Sequence, residues 1–213
     1  MVNQNPIFIA APPRSGTTLL AAILNAHGVW VGRGRITQYP GTNMDFASEN
    51  QDIKSIMKHT AGMMGYSNWD TPLPSATAFE GDELKKEIEV YVPSDTPWLV
   101  KTSWTLTFWK FWHEAYPDAK WLFPIRDIDK IVDSMNRHPG MKRHPDVEKF
   151  DYVMALQRRR FEAITAEVNN KIFNIEYFVD KENDIVRGVF DFLEIDPDWD
   201  IINEILVPKM LAR

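Results

Sequence analysis

The chain has 213 residues, which suits one domain with a sizeable core, so we expect a single domain over residues 1–213. Its composition, 44% hydrophobic and 25% charged, is typical of a globular protein, and a net charge of −6 argues against a general binder of nucleic acid or anionic membrane. The absence of cysteine excludes disulfides, thiolate metal sites and a cysteine nucleophile. We find neither a secretory signal nor an apolar run long enough to span a bilayer, and we therefore expect a cytoplasmic protein without a membrane partner.

Short apolar runs alternate with helical patterns along the chain. We predict strands at residues 6–11, 29–32, 98–101, 120–125 and 171–175. We predict helices at residues 19–27, 45–64, 81–92, 106–116, 127–137, 147–169, 181–193 and 199–206. Residues 33–43 read as a loop and residues 61–77 as an irregular excursion over the active face, in which Met63, Met64 and residues 66–74 are predicted to form a wall for the acceptor substrate. This order predicts an α/β fold of three layers, with a mostly parallel central sheet, helices on both faces, and ligands at the carboxyl ends of the strands.

The most informative motif lies where the first predicted strand meets the first predicted helix. Residues 12–18 read PPRSGTT, and a turn that enters a helix presents free backbone N–H groups and the positive end of the helix dipole. The predicted anion-binding residues of this turn supply charged, hydroxyl and backbone donors: Arg14, Ser15, Gly16, Thr17 and Thr18. The turn lacks the second glycine and the lysine of a P-loop NTPase, G-x-x-x-x-G-K-S/T. The alternative is a capped helix with an incidental arginine.

A second anion site is predicted after the strand at residues 120–125. Arg126 follows this strand directly, and Ser134 lies about two turns into the next helix. A guanidinium fork and a hydroxyl suit a terminal phosphate. The alternative is an exposed ion pair of Arg126 with Asp127 or Asp129, which would contribute little.

The two motifs together resemble those of sulfotransferases that use 3′-phosphoadenosine 5′-phosphosulfate (PAPS), and the chain is similar to their soluble bacterial-type branch from residue 6 to about residue 195. The string PPRSGTT resembles the family's 5′-phosphosulfate loop, P-K/R-S/T-G-T-T/S. This resemblance implies that Arg14 contacts the bridging oxygen and stabilises the leaving phosphate. Arg126 and Ser134 match the family's 3′-phosphate pattern R-D-P-x-D-x-x-x-S, with Ile128 where proline is common. The implied fold is the P-loop NTPase-like sulfotransferase fold.

The same resemblance implies further donor and catalytic residues. Tyr177 occupies the position that packs near the adenine in the family, although the residues after it differ from the usual Y-E-D-L stretch. Lys101 matches the assisting lysine of the K-T-H stretch in cytosolic sulfotransferases, but Ser103 replaces the histidine base, so the histidine mechanism does not carry over. Glu49 resembles the glutamate of an F-E-N stretch in bacterial and carbohydrate sulfotransferases and is the candidate base. The alternative for Glu49 is an exposed helical carboxylate.

The predicted function is therefore transfer of a sulfuryl group from PAPS to a hydroxyl or amine, by in-line displacement without a metal, leaving 3′-phosphoadenosine 5′-phosphate (PAP). The expected acceptor is a small molecule or a carbohydrate. The histidines show no paired spacing, so no metal site is predicted. Two alternatives stay open: a non-catalytic nucleotide-binding protein on the same fold, and a P-loop-like small-molecule kinase. The sequence does not identify the acceptor or the oligomeric state.

Overall fold

The computed structural model describes residues 5–33, 36–38, 45–47, 49–63, 81–102, 104–142, 144–180 and 183–206. The strands are β1 (Ile7–Ile9), β2 (Ile36–Gln38), β3 (Asp45–Ala47), β4 (Leu99–Val100), β5 (Lys120–Ile125) and β6 (Asn170–Asn174). The helices are α1 (Thr17–Ala26), α2 (Gln51–Met63), α3 (Gly81–Glu89), α4 (Trp104–Thr107), α5 (Trp109–Ala115), α6 (Ile128–Arg137), α7 (Asp146–Thr165), α8 (Ile175–Val179), α9 (Asn183–Leu193) and α10 (Trp199–Ile205).

Within the described residues, four strands form a parallel sheet in the order β4-β1-β5-β6. Ile7 of β1 is in register with Leu99 on one side and with Lys120 on the other, and Ile125 of β5 pairs with Asn174 of β6. Because all four strands run the same way, their carboxyl ends lie along one edge of the sheet. The predicted α/β architecture with a parallel central sheet is confirmed.

Side chains alternate along the strands and divide the core between the two faces of this sheet. Phe8 and Trp121 lie on one face with their ring centroids 4.6 Å apart, and helices α2 to α7 supply the rest of that aromatic-rich core, including Trp112 at 5.0 Å from Phe8. Ile7 and Leu122 lie on the other face, which helices α1, α8, α9 and α10 cover with mainly aliphatic side chains. Strands buried on both faces explain why the sequence shows continuous apolar runs rather than alternation.

The region before α2 differs from the prediction. Residues 33–43 were expected to form a loop and residues 45–64 a helix, whereas β2 and β3 pair as an antiparallel two-stranded sheet and α2 begins only at Gln51. The start of α2 is determined by Asn50, whose Oδ1 accepts hydrogen bonds from the backbone N–H groups of Asp52 and Ile53. Gly32 (φ 96°) permits this arrangement, because a Cβ there would lie 2.5 Å from the Asn50 side chain.

Smaller differences concern the ends of elements. The strand expected at residues 29–32 is reduced to a single bridge between Trp30 and Trp98, and the helix expected at residues 106–116 is divided at Phe108 into α4 and α5. The strand expected at residues 171–175 ends earlier, because the side chain of Asn174 accepts a hydrogen bond from the N–H of Glu176 and starts α8. Most of the predicted excursion at residues 61–77 lies outside the described residues. Among the described helices, none has the length and apolar character needed to cross a bilayer.

Candidate functional site

Each strand of the parallel sheet leads to a charged residue at the carboxyl edge. Arg14 lies in the loop after β1, Lys101 follows β4 directly, Arg126 follows β5 directly, and Glu176 comes two residues after β6. Since the strand order is β4-β1-β5-β6, the loops that carry Lys101, Arg14 and Arg126 are neighbours along this edge. The sheet therefore gathers three cations in a chain whose net charge is negative.

The loop between β1 and α1 has an unusual backbone. Arg14 (φ 68°) and Gly16 (φ 73°) both adopt the left-handed conformation, which costs a non-glycine residue about 1 kcal/mol. Gly16 precedes α1 and contributes no side-chain cap, and the first turn of α1 contains no acidic residue. The positive end of the α1 dipole and its first N–H groups are therefore available to an anion.

The hydroxyl groups of this loop fall into two kinds. Ser15 is completely buried, and its Oγ has no hydrogen-bond partner within the part of the chain that the structure describes. Leaving a buried hydroxyl unsatisfied costs about 1–3 kcal/mol, and a ligand bound at this loop would supply the missing partner. Thr17 is also buried, whereas the Oγ1 of Thr18 accepts a hydrogen bond of 2.9 Å from the Nζ of Lys101.

The two predicted phosphate motifs meet in one cluster. The guanidinium of Arg126 donates through Nη1 to the backbone carbonyl of Arg14 at 2.8 Å, and the Nε of Arg14 donates to the Oγ of Ser134 at 3.0 Å. Ser134 is 1% exposed and therefore forms part of the floor of the cluster. Ser134 was expected to bind a phosphate together with Arg126, but in this structure its hydroxyl accepts a hydrogen bond from Arg14. The two motifs therefore share one cluster of hydrogen bonds.

The side chain of Arg126 is only 6% exposed, which does not fit the alternative of an exposed surface pair. Asp127 caps α6, where its Oδ1 accepts a hydrogen bond from the backbone N–H of Lys130. The carboxylate of Glu176 lies 3.9 Å from the Nε of Arg126 and also accepts hydrogen bonds of 2.7 and 2.8 Å from the Nζ of Lys130. Glu176 thus divides its negative charge between the two cations.

Glu49 lies between two lysines. Its Oε1 is 3.2 Å from the Nζ of Lys101, and its Oε2 accepts a hydrogen bond from the Nζ of Lys54. The side chains of Glu49 and Lys101 are 21% and 12% exposed, so the pair is screened only partly by water. The alternative of an exposed helical carboxylate is wrong, because Glu49 precedes the Asn50 cap of α2 and is mostly buried.

These charges shift one another's pKa values. Burial raises the pKa of Glu49, but the charges and hydrogen bonds of Lys101 and Lys54 outweigh it, so the net pKa lies below the ordinary value. Burial lowers the pKa of Lys101, which Glu49 opposes, and Lys54 and Arg14 lower it further.

The positive charge of Arg14 extends across the cluster. Burial lowers the pKa of Arg126, which the carboxylate of Glu176 opposes, and the charge of Arg14 lowers it further. Burial also lowers the pKa of His138, again assisted by the charge of Arg14. The charge of Arg14 therefore acts on Lys101, Arg126 and His138 together, so the cluster has a positive field.

Sequence reasoning missed three residues of this cluster: Lys54, Glu176 and His138. If Asn50 had been identified as a helix cap, Glu49 would have been placed just before the first turn of α2, which carries Lys54. The contact between Glu49 and Lys54 could then have been predicted. Glu176 has a weaker signal, namely a carboxylate two residues beyond a predicted strand.

Other predicted residues lie at the margin of the site or outside the described part. Tyr177 follows Glu176 in α8, at the end of the outer strand β6, and its ring is half-exposed. Ser103 lies outside the described residues, as do residues 64–80, which contain most of the predicted acceptor wall.

Comparisons with known proteins bear on this arrangement. A model described as the sulfotransferase family matches residues 6–200. No curated protein matches the chain. The sulfotransferase domain of the olefin synthase from Synechococcus PCC 7002 is 16% identical over 99% of this chain and 84% of that one, with a TM-score of 0.59. Sulfotransferase STF1 from Mycobacterium tuberculosis is 14% identical over 95% of this chain and 70% of that one, with a TM-score of 0.61. The sulfotransferase domain from the curacin biosynthetic pathway is 13% identical over 99% and 86%, with a TM-score of 0.57. At these identities the likeness to solved structures shows a shared fold.

Proposed function

The chain belongs to the sulfotransferase family, and from that premise we propose that it transfers a sulfuryl group from PAPS to a hydroxyl or amine of a small-molecule or carbohydrate acceptor. The observation that carries the proposal is the junction of Arg14, Arg126 and Ser134 through hydrogen bonds of 2.8 and 3.0 Å. PAPS carries anionic groups at two positions of one nucleotide, and this cluster offers cations from two adjacent strand ends. The cytoplasmic setting expected from the sequence is part of the same proposal.

The residues present fit the donor at its 5′ end. The uncapped N-terminus of α1, the partnerless hydroxyl of Ser15 and the guanidinium of Arg14 all donate hydrogen bonds, which phosphosulfate oxygens accept. Gly16, Thr17 and Thr18 belong to the same turn, and we assign them to the 5′-phosphosulfate as well. In the proposed complex the buried hydroxyl of Ser15 gains the partner that it lacks.

At the 3′ end, Arg126 and Ser134 are the proposed phosphate ligands. Arg126 is buried between the carbonyl of Arg14 and the carboxylate of Glu176, which holds its guanidinium in place. Tyr177 lies in α8, which directly follows β6, the strand next to β5, and we assign it to the adenine on the basis of its place along this edge. Its half-exposed ring could cover a base by stacking.

Sulfuryl transfer requires cations that stabilise the negative charge of the leaving phosphate and a base that accepts the proton of the acceptor. As the bond from sulfur to the acceptor oxygen or nitrogen forms and the bond from sulfur to the 5′-phosphate oxygen breaks, Arg14 and Lys101 stabilise the negative charge left on the phosphate. Glu49 accepts the proton of the acceptor. The side-chain cations can supply the charge stabilisation that metals supply in phosphoryl transfer, so the proposal requires no metal.

The ion pairs of Glu49 suggest how donor binding prepares the base. While Lys101 and Lys54 both contact Glu49, its lowered pKa makes it a weak proton acceptor. If Lys101 turns from Glu49 to an oxygen of the donor, the pKa of Glu49 rises and the carboxylate becomes a better base. Lys101 already contacts Thr18 of the donor loop, so this exchange needs only a small movement of its ammonium group.

The test is a transfer assay with sulfur-labelled PAPS and pooled phenol, alcohol, amine and sugar acceptors, run with a metal chelator. Labelled product in the presence of the chelator is the expected result. A parallel assay with ATP labelled on the γ-phosphate and Mg²⁺ tests the kinase alternative, which metal-dependent phosphoryl transfer would support instead. Binding of PAP without transfer to any acceptor would favour the non-catalytic nucleotide-binding protein.

A further inference from the structure

Helix α7 carries a stripe of exposed apolar side chains that the sulfuryl-transfer site does not use. Val147, Phe150, Met154 and Phe161 are 66%, 44%, 38% and 69% exposed. Their spacing of three, four and seven residues places them on one side of the helix, over about 21 Å of its length. We call these four residues the α7 stripe.

The α7 stripe is separate from the face by which α7 joins the core. Tyr152, Val153, Leu156 and Ala163 are buried and pack in the aromatic-rich core of the sheet. A helix that joins only a core needs one apolar face, with polar residues on the opposite side. A second apolar row is the pattern of a helix that also contacts another protein surface.

The charges beside the α7 stripe indicate what that surface is. Asp151 and Arg158 are exposed, lie two turns apart on the same flank, and form no ion pair within the part of the chain that the structure describes. At about 10 Å apart along the helix axis they cannot pair with each other. Of the other charged residues of the helix, Asp146 pairs with Lys149, Glu148 with His144, and Arg159 with Glu162, whereas Arg160 is half-buried and does not flank the stripe.

We propose that two copies of this chain form a homodimer in which their α7 helices pack antiparallel about a twofold axis near Met154. Residues 147 and 161 are equally distant from position 154, so the antiparallel register sets Val147 against Phe161 of the partner subunit and Met154 against its own copy. The same register sets Asp151 beside Arg158 of the partner subunit, twice by symmetry. The proposal is independent of the proposed function.

The antiparallel direction follows from the charges. In a parallel pair of α7 helices the flank that carries Asp151 and Arg158 would lie on opposite sides of the seam in the two copies, so neither residue would meet its opposite charge on the partner subunit. The antiparallel pair brings Asp151 of each copy beside Arg158 of the partner subunit, in two opposite-charge contacts that flank an apolar seam. A single pair of helices buries less than the roughly 1,600 Å² of a standard interface, so we expect a dissociation constant on the order of 10 μM.

Sedimentation equilibrium of the full chain, from about 1 to 200 μM, tests the dimer. The expected mass rises with concentration from the 24.7 kDa of one chain toward twice that value. Asp151→Arg or Arg158→Asp alone is expected to weaken dimerisation at least tenfold, and the double variant is expected to restore it to within about threefold. Circular dichroism checks that each variant is folded, and Val90→Glu, at a residue 78% exposed outside α7, is the matched control with unchanged dimerisation.

Three results would overturn the proposal. One is a wild-type chain that stays at the mass of one copy up to about 200 μM. Another is a dimer that neither charge reversal weakens, because its interface would lie elsewhere. The third is a double variant that stays as weak as the single ones. The PAP affinity of the double variant, measured by calorimetry, is expected to equal that of the wild type. A failure of the dimer proposal can therefore be distinguished from a failure of the donor-site proposal.

Discussion

The two halves of the candidate site satisfy their charges in different ways. In the arginine half, Arg126 donates to the carbonyl of Arg14 and Arg14 donates to the hydroxyl of Ser134, so these cations are linked through neutral acceptors, while the carboxylate of Glu176 lies farther off, 3.9 Å from the Nε of Arg126. In the lysine half, the carboxylate of Glu49 lies between Lys101 and Lys54, so each cation there contacts a full negative charge.

This difference separates binding from catalysis. The arginine half offers hydrogen-bond donors to an anion, together with the neighbouring hydroxyl of Ser15, which has no hydrogen-bond partner among the residues that the structure describes. The lysine half must give up a contact of Glu49 before its groups can act on a substrate. The account therefore predicts that changes in the arginine half alter donor binding and transfer, whereas Glu49 alters transfer alone.

The largest expected effect is that of Arg14→Ala. Because Arg14 is proposed both to bind the donor and to stabilise the leaving phosphate, we expect kcat for sulfuryl transfer to fall about 10²–10³-fold and PAP binding to weaken. Steady-state kinetics with labelled PAPS measures the change. Arg187→Ala, at an exposed position in α9, is the control and should leave kcat unaltered. Normal transfer by Arg14→Ala would remove the distinction between the two halves.

Glu49→Gln tests the lysine half of the site. Loss of the base should lower kcat by about 10²-fold while PAP affinity stays within about threefold of the wild type. Glu49 raises the pKa of Lys101, so its removal lowers that pKa further, and the alkaline limb of the pH–rate profile should move to lower pH. The control Glu204→Gln, at an exposed position in α10, should leave the profile in place. An alkaline limb that moves to higher pH, or does not move, would contradict the assigned contact.

Ser15→Ala has the smallest expected effect, and it is expected to weaken PAP binding without lowering stability. Because the buried hydroxyl of Ser15 has no partner among the described residues, its removal should leave the free energy of unfolding unchanged or raise it by up to about 1 kcal/mol, while PAP binding weakens about fivefold. Urea unfolding and calorimetry measure the two quantities. Ser134→Ala is the contrasting variant, because its hydroxyl already accepts a hydrogen bond from Arg14 and its loss should lower stability as well. If Ser15→Ala destabilised the free protein instead, the hydroxyl would have a structural partner.

The fold and the two turns of the arginine half could be predicted because their signals are local. An apolar run that ends in PPRSGTT contains within twelve residues the strand, the turn and the start of α1. The same holds for β5, Arg126 and the Asp127 cap of α6. The parallel order of the strands then brings such turns to one edge whatever their separation in the chain.

What the sequence did not reveal depends on non-local pairing. The antiparallel pairing of β2 with β3 takes residues 45–47 out of the expected helix, and no single segment signals it. That error placed Glu49 inside a helix, where Lys54 is not its neighbour, and so concealed the ion pair. Likewise, Ser134 and Arg14 are 120 residues apart in the chain, so their hydrogen bond is visible only in three dimensions.

The central claim, that one cationic cluster binds both ends of the donor, is tested most directly by calorimetry with PAP and with AMP, which lacks the 3′-phosphate. We predict that the wild type binds PAP more tightly than AMP, with or without Mg²⁺. We also predict that Arg126→Ala reduces this preference at least tenfold, because it lowers the affinity for PAP far more than the affinity for AMP. Binding that requires Mg²⁺, or an Arg126→Ala variant that weakens PAP and AMP equally, would contradict the account.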